Sequence, residues 1–373
     1  MSQPGTPVLP AGRQGRIARV RAAMEESGIE AMLLSLGADL PWLTGYQAMP
    51  LERLTVLVVP ADADAVLLVP ELEAPRVDPD PAVFEVRPWA EGEDPVAAAA
   101  RIVGSRRRLA VSDRMWSTFL LALQEALPSR EWGTSSRVTG PLRAVKDREE
   151  VEALAAASAG ADRVAAALLG GEVALVGRSE RQVSEDLGRR LIAEGHDRVD
   201  FAIVGSGPNS ASPHHEPGTR VIGPGEAVVC DFGGTMAGYC SDITRTVFTG
   251  DPSPEMVELY ALLQEAQAAA VAAATVGTPC EEVDRVARER IAAGGYGAAF
   301  IHRTGHGIGM EGHEDPYIVA GNAQPLVAGH AFSVEPGIYL AGRYGARIED
   351  IVVATDAGPR PLNLASHDLT VVG

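Results

Sequence analysis

A pattern repeated at an interval of about a hundred residues runs through the C-terminal part of this chain. Gly177, Val183, Arg190, Ala193 and Gly195 recur as Gly277, Val283, Arg290, Ala293 and Gly295, each 100 positions later. Gly225, Ala227, Asp231 and Gly233 recur as Gly329, Ala331, Glu335 and Gly337, each 104 positions later. The first set reads as a repeated helix and the second as a repeated apolar strand that ends on a carboxylate. Two copies fall short of the roughly three that a solenoid needs, so the repeat predicts one domain with a pseudo-two-fold axis. In such a domain Asp231 and Glu335 face each other. Chance matching of two apolar strands is the competing explanation.

The carboxylates near the repeat follow the same logic. Asp231 ends the run Ala227 to Cys230, and Asp242 opens Ile243 to Val247 after a glycine-containing turn, a hairpin signature. Glu335 ends Ala331 to Val334, and Glu349 follows Ala346 to Ile348 after a second glycine turn at Gly342 and Gly345. His306 sits in the glycine-flanked run His302 to Gly309. Bare carboxylates gathered with one imidazole would repel, each like pair about 4 Å apart costing roughly 4 kcal/mol at an effective dielectric near 20. Two divalent ions, about +4 against about −4, remove that objection. Oxygen-rich ligation with one imidazole suits Mn²⁺, Co²⁺ or Zn²⁺ better than a thiolate-seeking metal. Two metals about 3.5 to 4 Å apart clamp a nucleophilic hydroxide and a substrate carbonyl, so hydrolysis is the expected reaction. Five of the 8 histidines (His214, His215, His302, His306 and His313) lie on these same segments. The loop Gly205 to Ser210 lacks the Lys-Ser/Thr pair of a phosphate loop and is read as part of the substrate site.

At 373 residues the chain has room for two domains, and 40 Gly and 26 Pro within 46% hydrophobic residues fit a turn-rich mixed α/β protein. A net charge of −18 repels a polyphosphate backbone, which argues against nucleic acid as a partner. Arg106 to Arg108, the one basic run, reads as a solvated segment. Cys230, Cys240 and Cys280 are odd in number and widely spaced, and Met1 to Arg13 carries no apolar signal region; both point to a reducing, cytoplasmic compartment. The apolar stretch Ala268 to Val276 is too short to span a bilayer and reads as a packed helix, so no membrane is expected.

The first domain is expected to contain a helix over 16–28 and strands at 31–34, 55–59, 66–69 and 109–112, closing near Pro141. Residues 1–141 and 142–373 thus form the two expected domains, joined by a helix from Asp147 to about Leu169. Capping boxes are expected at Ser179 with Gln182 and at Thr278 with Glu281.

Six segments carry a resemblance: Ser212-Pro213-His214-His215, Asp231-Phe232-Gly233-Gly234, Ser241 to Thr246, His302 to Gly307, Glu335-Pro336-Gly337-Ile338-Tyr339 and Arg347-Ile348-Glu349-Asp350. In this order they resemble the pita-bread metallopeptidases of the Xaa-Pro type, prolidase (Xaa-Pro dipeptidase) and aminopeptidase P. The resemblance implies an α/β (α+β) chain, a small creatinase-like amino-terminal domain followed by a pseudo-two-fold pita-bread catalytic domain. It implies that Asp231 holds one metal, Asp242 and Glu349 bridge both, and His306 and Glu335 hold the second. A bridging hydroxide would be the nucleophile, and Glu335 would take and return its proton. His214 and His313 match histidines that steady the tetrahedral intermediate and the scissile carbonyl, His302 matches one lining the proline pocket, and Arg347 and Tyr339 would orient the carboxylates.

The substrates implied are short proline-containing peptides, and the assembly implied is a homodimer. In it the loop Trp42 to Arg53, with exposed-looking Trp42, Tyr46 and Arg53, would reach the partner's active-site mouth. A methionine aminopeptidase would not need the first domain, a metal-free creatinase would be expected to lack part of this ligand set, and a non-catalytic binding protein of this fold would have lost ligands. A dipeptidase must also recognise the free carboxylate next to the scissile bond, and Arg343 is the candidate for that, with an exposed turn arginine as its alternative; an aminopeptidase P acting on longer peptides is the second activity.

Overall fold

The computed structural model describes residues 12–372. The chain divides into two compact units, Met1–Arg143 and Ala144–Gly373.

The first unit contains the helices α1 (Gly12–Ser27), α2 (Asp39–Thr44), α3 (Pro95–Val103), α4 (Ser117–Ala126) and α5 (Ser136–Ala144). Its strands are β1 (Ala31–Leu34), β2 (Val56–Pro60), β3 (Ala65–Pro70), β4 (Phe84–Trp89), β5 (Arg108–Val111) and β6 (Glu131–Thr134), in the sheet order β4-β3-β2-β1-β5-β6. The central strands β1, β2 and β3 are buried along their whole length, which is why they read as unbroken apolar runs. The edge strands β4 and β6 escape a sequence reading because they alternate apolar with charged or small residues, and β4 contains Pro88.

The aromatic rings of the loop expected to reach a partner are buried instead. Trp42 lies inside α2 and is 1% exposed, and Tyr46 is 4% exposed. The Tyr46 hydroxyl donates to Glu73 Oε2 at 2.7 Å, and the Arg16 and Arg19 guanidiniums lie near the Trp42 ring. Both aromatic rings serve this unit's own core, and of the three residues only Arg53 keeps partial exposure.

The second unit opens with α6 (Arg148–Leu169), whose N-terminus is closed by a reciprocal capping box between Asp147 and Glu150. It continues through α7 (Glu180–Ala193), β7 (Arg198–Ser206), β8 (Ala227–Met236), β9 (Tyr239–Cys240), β10 (Ile243–Phe248), α8 (Pro254–Ala273) and α9 (Cys280–Ala293). The last strands are β11 (Gly305–Gly307), β12 (Glu314–Ile318), β13 (Ala331–Val334), β14 (Gly337–Leu340), β15 (Tyr344–Arg347), β16 (Asp350–Thr355), β17 (Gly358–Pro361) and β18 (Thr370–Val371).

The internal repeat is visible in the hydrogen bonds. The Gly177 amide donates to Ile222 O at 3.0 Å and the Glu180 amide to Arg220 O at 3.0 Å. Their counterparts are Gly277 to Leu326 O at 2.8 Å and Cys280 to Gln324 O at 2.9 Å, the same contacts at offsets of 100 and 104. One capping box differs between the copies. Ser179 caps α7 with Gln182 as expected, but Pro279 stands at the N-cap of α9 with no side-chain bond. The first free amides of α9, Cys280 and Glu281, are satisfied by the Gln324 and Asn322 carbonyls, so Thr278 has no orphan donor to serve and faces Thr275 Oγ1 at 2.9 Å.

The two half-sheets run β18-β10-β8-β7 and β12-β11-β13-β16-β17, with a β14-β15 hairpin beside them. They meet where Thr244 of the first half pairs with Glu349 of the second.

Candidate metal centre

Each carboxylate sits at a place where backbone geometry is tightly set. Asp231 lies in β8 opposite Thr244 of β10, and Asp242 immediately precedes β10. His306 is the middle residue of β11, where close backbone approach demands glycine on both sides. A Cβ at Gly305 would strike the Ser333 carbonyl, and one at Gly307 the Asp315 carbonyl. Glu335 follows β13, and Glu349 lies between β15 and β16. Asp231, Asp242, His306 and Glu349 are buried, and Glu335 is partly so. One ligand atom each from Asp242, His306 and Glu349 lies within 4.8 Å of the others, and His306 Nε2 is 3.3 Å from Glu335 Oε1 and 3.7 Å from Asp242 Oδ2.

The electrostatics call for cations. Burial, reinforced by the neighbouring carboxylates, pushes the Asp242 and Glu349 carboxyls well above the ordinary range. Burial also pushes Glu335 up to about 7 against the pull of Arg347. His306 Nδ1 donates to the Gly307 carbonyl at 3.1 Å, which leaves the Nε2 lone pair aimed at two carboxylate oxygens. Burial pulls His306 down to about 3, so the imidazole is neutral and cannot itself balance them. Asp231 Oδ2 accepts from Arg347 Nη2 at 2.6 Å, while its Oδ1 is buried with no hydrogen-bond partner among the described residues. An orphaned buried carboxylate oxygen, a lone pair facing acceptors and carboxyls whose proton affinity is raised by burial and by one another are what a set of hard-metal ligands looks like before its ions are counted, and the donor set fits divalent cations.

Around this cluster runs a polar shell. Arg347 is 2% exposed and donates through Nε to Thr244 Oγ1 at 3.0 Å and through Nη1 to Tyr339 Oη at 2.8 Å. Thr244 in turn donates to Glu349 Oε2 at 2.6 Å. The Tyr339 hydroxyl donates to His302 Nε2 at 2.8 Å, and His302 Nδ1 donates to the Arg303 carbonyl at 2.7 Å. Burial, with the Arg347 charge, pulls His302 down to about 4, which fixes it as the neutral ring this chain of bonds requires. Ser333 donates to Glu335 Oε1 at 3.1 Å and accepts from the His306 amide at 3.0 Å.

The structure thus brings together Asp231, Asp242, His306, Glu335, Glu349, Arg347, Tyr339 and His302. His313 joins them from the next loop, its ring centroid 3.9 Å from that of His306. His214 is exposed on the segment after β7, near enough for its charge to bear on His302 and His313. Arg343 is not brought in. It sits at the exposed turn of the β14-β15 hairpin and donates to Glu255 Oε1 at 3.0 Å, the turn-arginine alternative.

Three contributors were not singled out from the sequence. Thr244 and Ser333 orient ligand carboxylates but look like ordinary strand residues. Glu180, 0% exposed, holds the His214 segment by accepting from the Ser206 amide at 2.9 Å, Asn209 Nδ2 at 3.0 Å and His215 Nε2 at 2.8 Å. Its position as the first residue of a capped helix gave no hint of that role.

A pseudo-two-fold α/β domain with this cluster at the meeting of its half-sheets defines a metallohydrolase on the pita-bread fold. Residues 152–356 match metallopeptidase family M24, and residues 16–145 match the Creatinase/Prolidase N-terminal domain. A probable dipeptidase PepE from Mycobacterium tuberculosis is 42% identical over 96% of this chain and 96% of its own length. The crystal structure of dipeptidase PepE from Mycobacterium ulcerans is 45% identical, covering 96% of this chain and 98% of that one at a TM-score of 0.89. A recombinant prolidase from Thermococcus sibiricus is 36% identical, covering 97% and 100% at a TM-score of 0.91. The chain belongs to metallopeptidase family M24.

Proposed function

We propose that this metallopeptidase is an Xaa-Pro dipeptidase that releases free proline from short proline-containing peptides. The observation that carries the reading is the convergence of Asp231, Asp242, His306, Glu335 and Glu349 in a chain similar along its whole length to a prolidase. Asp231, Asp242, His306, Glu335 and Glu349 would hold two divalent ions, Mn²⁺ first and Co²⁺ or Zn²⁺ as alternatives, which supply Lewis-acid activation of water and of the scissile carbonyl.

The chain's own residues do the rest. Glu335, with a proton affinity near neutrality, takes the proton of the attacking water and returns it to the proline nitrogen as the C–N bond breaks. His214 and His313 donate to the oxygen that gains charge. The bond before proline is a tertiary amide with no N–H, so the pocket beyond it needs a surface for the ring and no acceptor. His302 supplies such a surface, backed by the buried Phe300 and Tyr339 rings at centroid distances of 5.2 Å and 5.4 Å.

Exhaustive chelation is expected to abolish activity, and Mn²⁺ to restore it, with Xaa-Pro dipeptides turned over faster than Xaa-Pro tripeptides. Full activity in a preparation shown by elemental analysis to be metal-free sinks the metal-assisted reading; faster turnover of tripeptides moves the assignment to aminopeptidase P. The same reading takes the enzyme as a cytoplasmic homodimer. The three cysteines, all free and buried, support a reducing compartment, and no described helix is long and apolar enough to cross a membrane. On the first unit Trp116 stacks on Phe119, and Trp116 and Leu121 are exposed, an apolar surface for a second copy. Light scattering is expected to give twice the chain mass; a fully active monomer counts against the dimer.

A further inference from the structure

Four other arginines of the second unit are already committed. Arg347 is bonded to Asp231, Arg245 to Asp350, Arg288 to Asp284, and Arg343 to Glu255. Arg303, between His302 and Thr304 and three residues before the ligand His306, is different. Among the described residues its guanidinium has no carboxylate partner, and it lies over the Tyr317 ring at 4.5 Å from the centroid. Stacking holds the planar group in place without neutralising it.

The backbone beneath Arg303 is clamped on both sides. His302 Nδ1 donates to the Arg303 carbonyl at 2.7 Å, Arg288 Nη2 donates to the His302 carbonyl at 2.8 Å, and the Thr304 amide donates to Asp284 Oδ1 at 3.0 Å. The Thr304 carbonyl then accepts from the Glu335 amide at 2.8 Å, so the segment carrying Arg303 is tied directly to the candidate acid-base residue.

We propose that Arg303, stacked on Tyr317, is the specificity residue that takes the free C-terminal carboxylate of a dipeptide substrate. In a dipeptide that carboxylate lies one residue past the scissile carbonyl, so its anchor must stand beside the metal centre, as Arg303 does and the hairpin-tip Arg343 does not. The planar fork matches a carboxylate with two parallel hydrogen bonds. A longer peptide carries a neutral amide at that place and leaves the cation unmatched. The assignment rests on the dipeptidase reading above.

The test compares alanyl-proline with alanyl-prolinamide, two substrates that differ only in the terminal charge, for the wild-type holoenzyme and for Arg303→Gln and Arg303→Lys. Wild type is expected to favour the acid over the amide in kcat/KM. Arg303→Gln is expected to shrink that preference by at least about tenfold, chiefly through the KM of the acid, the low end of what a hydrogen bond to a charged group contributes. Arg303→Lys, which keeps the charge but not the fork, is expected to fall between the two. Elemental analysis and circular dichroism should show metal and fold retained. An Arg303→Gln enzyme that keeps the wild-type preference, or loses activity equally on both substrates, overturns the assignment while leaving the dipeptidase reading intact. A wild type that prefers alanyl-prolinamide, or a tripeptide beginning alanyl-proline, overturns both.

Discussion

Asp242→Ala and Glu349→Ala are expected to lose hydrolysis and bound metal together, whereas His214→Ala and His313→Ala keep the metal and lose only the chemistry. The difference follows from position. Asp242 and Glu349 are buried, with one ligand atom each within 4.8 Å of the other and of His306. In the proposed site, removing either would leave one bridging charge too few. His214 and His313 stand at the rim, and in the proposed mechanism they act on charge that develops on the substrate; losing such a donor costs about 10² to 10³ in kcat. Metal content by elemental analysis, read beside kcat, separates the two classes. Histidine variants turning over substrate at the wild-type rate would remove their transition-state role, and Asp242→Ala with full metal content would remove its ligand role. Chelation should also lower the melting temperature, since ions that bind only the folded chain stabilise it by about 2.7 kcal/mol at a hundred times their Kd.

Arg245→Met is expected to destabilise the second unit by about 3 to 5 kcal/mol, the usual consequence of removing one partner from a buried ion pair. The Arg245 side chain is 0% exposed. It donates to Asp350 Oδ1 at 2.8 Å, to the carbonyls of Glu349 and Thr244 at 2.7 Å and 2.9 Å, and to those of Ala365 and Ser366 at 2.8 Å and 3.0 Å. Methionine fills much of the volume but takes the Arg245 donor away from the buried Asp350 Oδ1 and Glu349 carbonyl. Because two of the acceptors are the backbone of Thr244 and Glu349, metal affinity should fall by about 10- to 100-fold as well, the usual effect of disturbing groups that orient ligands. Denaturant unfolding with and without Mn²⁺ measures both. A loss under about 1 kcal/mol would mean that water takes over the orphaned carbonyls.

The parts of this protein that were legible in its sequence are those written in local patterns. Asp231, Asp242, Glu335 and Glu349 stand beside strands whose apolar runs announce them, and the Gly177 and Gly277 repeats mark the two halves of one domain. The Ser179 cap is also local, since the donor it satisfies lies three residues away.

What the sequence by itself determined, then, is the candidate set of carboxylates and histidine, the duplication and the apolar strands that bury it. Only the tertiary structure decided which arginine faces the metal centre, because the partners that commit Arg343 to Glu255 and Arg347 to Asp231 lie 88 and 116 residues away. It also decided that Trp42 and Tyr46 belong to a core, through contacts with Arg16 and Glu73, and that α9 needs no side-chain cap because the Asn322 and Gln324 carbonyls reach its first amides. In each case local chemistry permits several partners, and the one that wins is set by which distant segment the folded chain brings within hydrogen-bond distance.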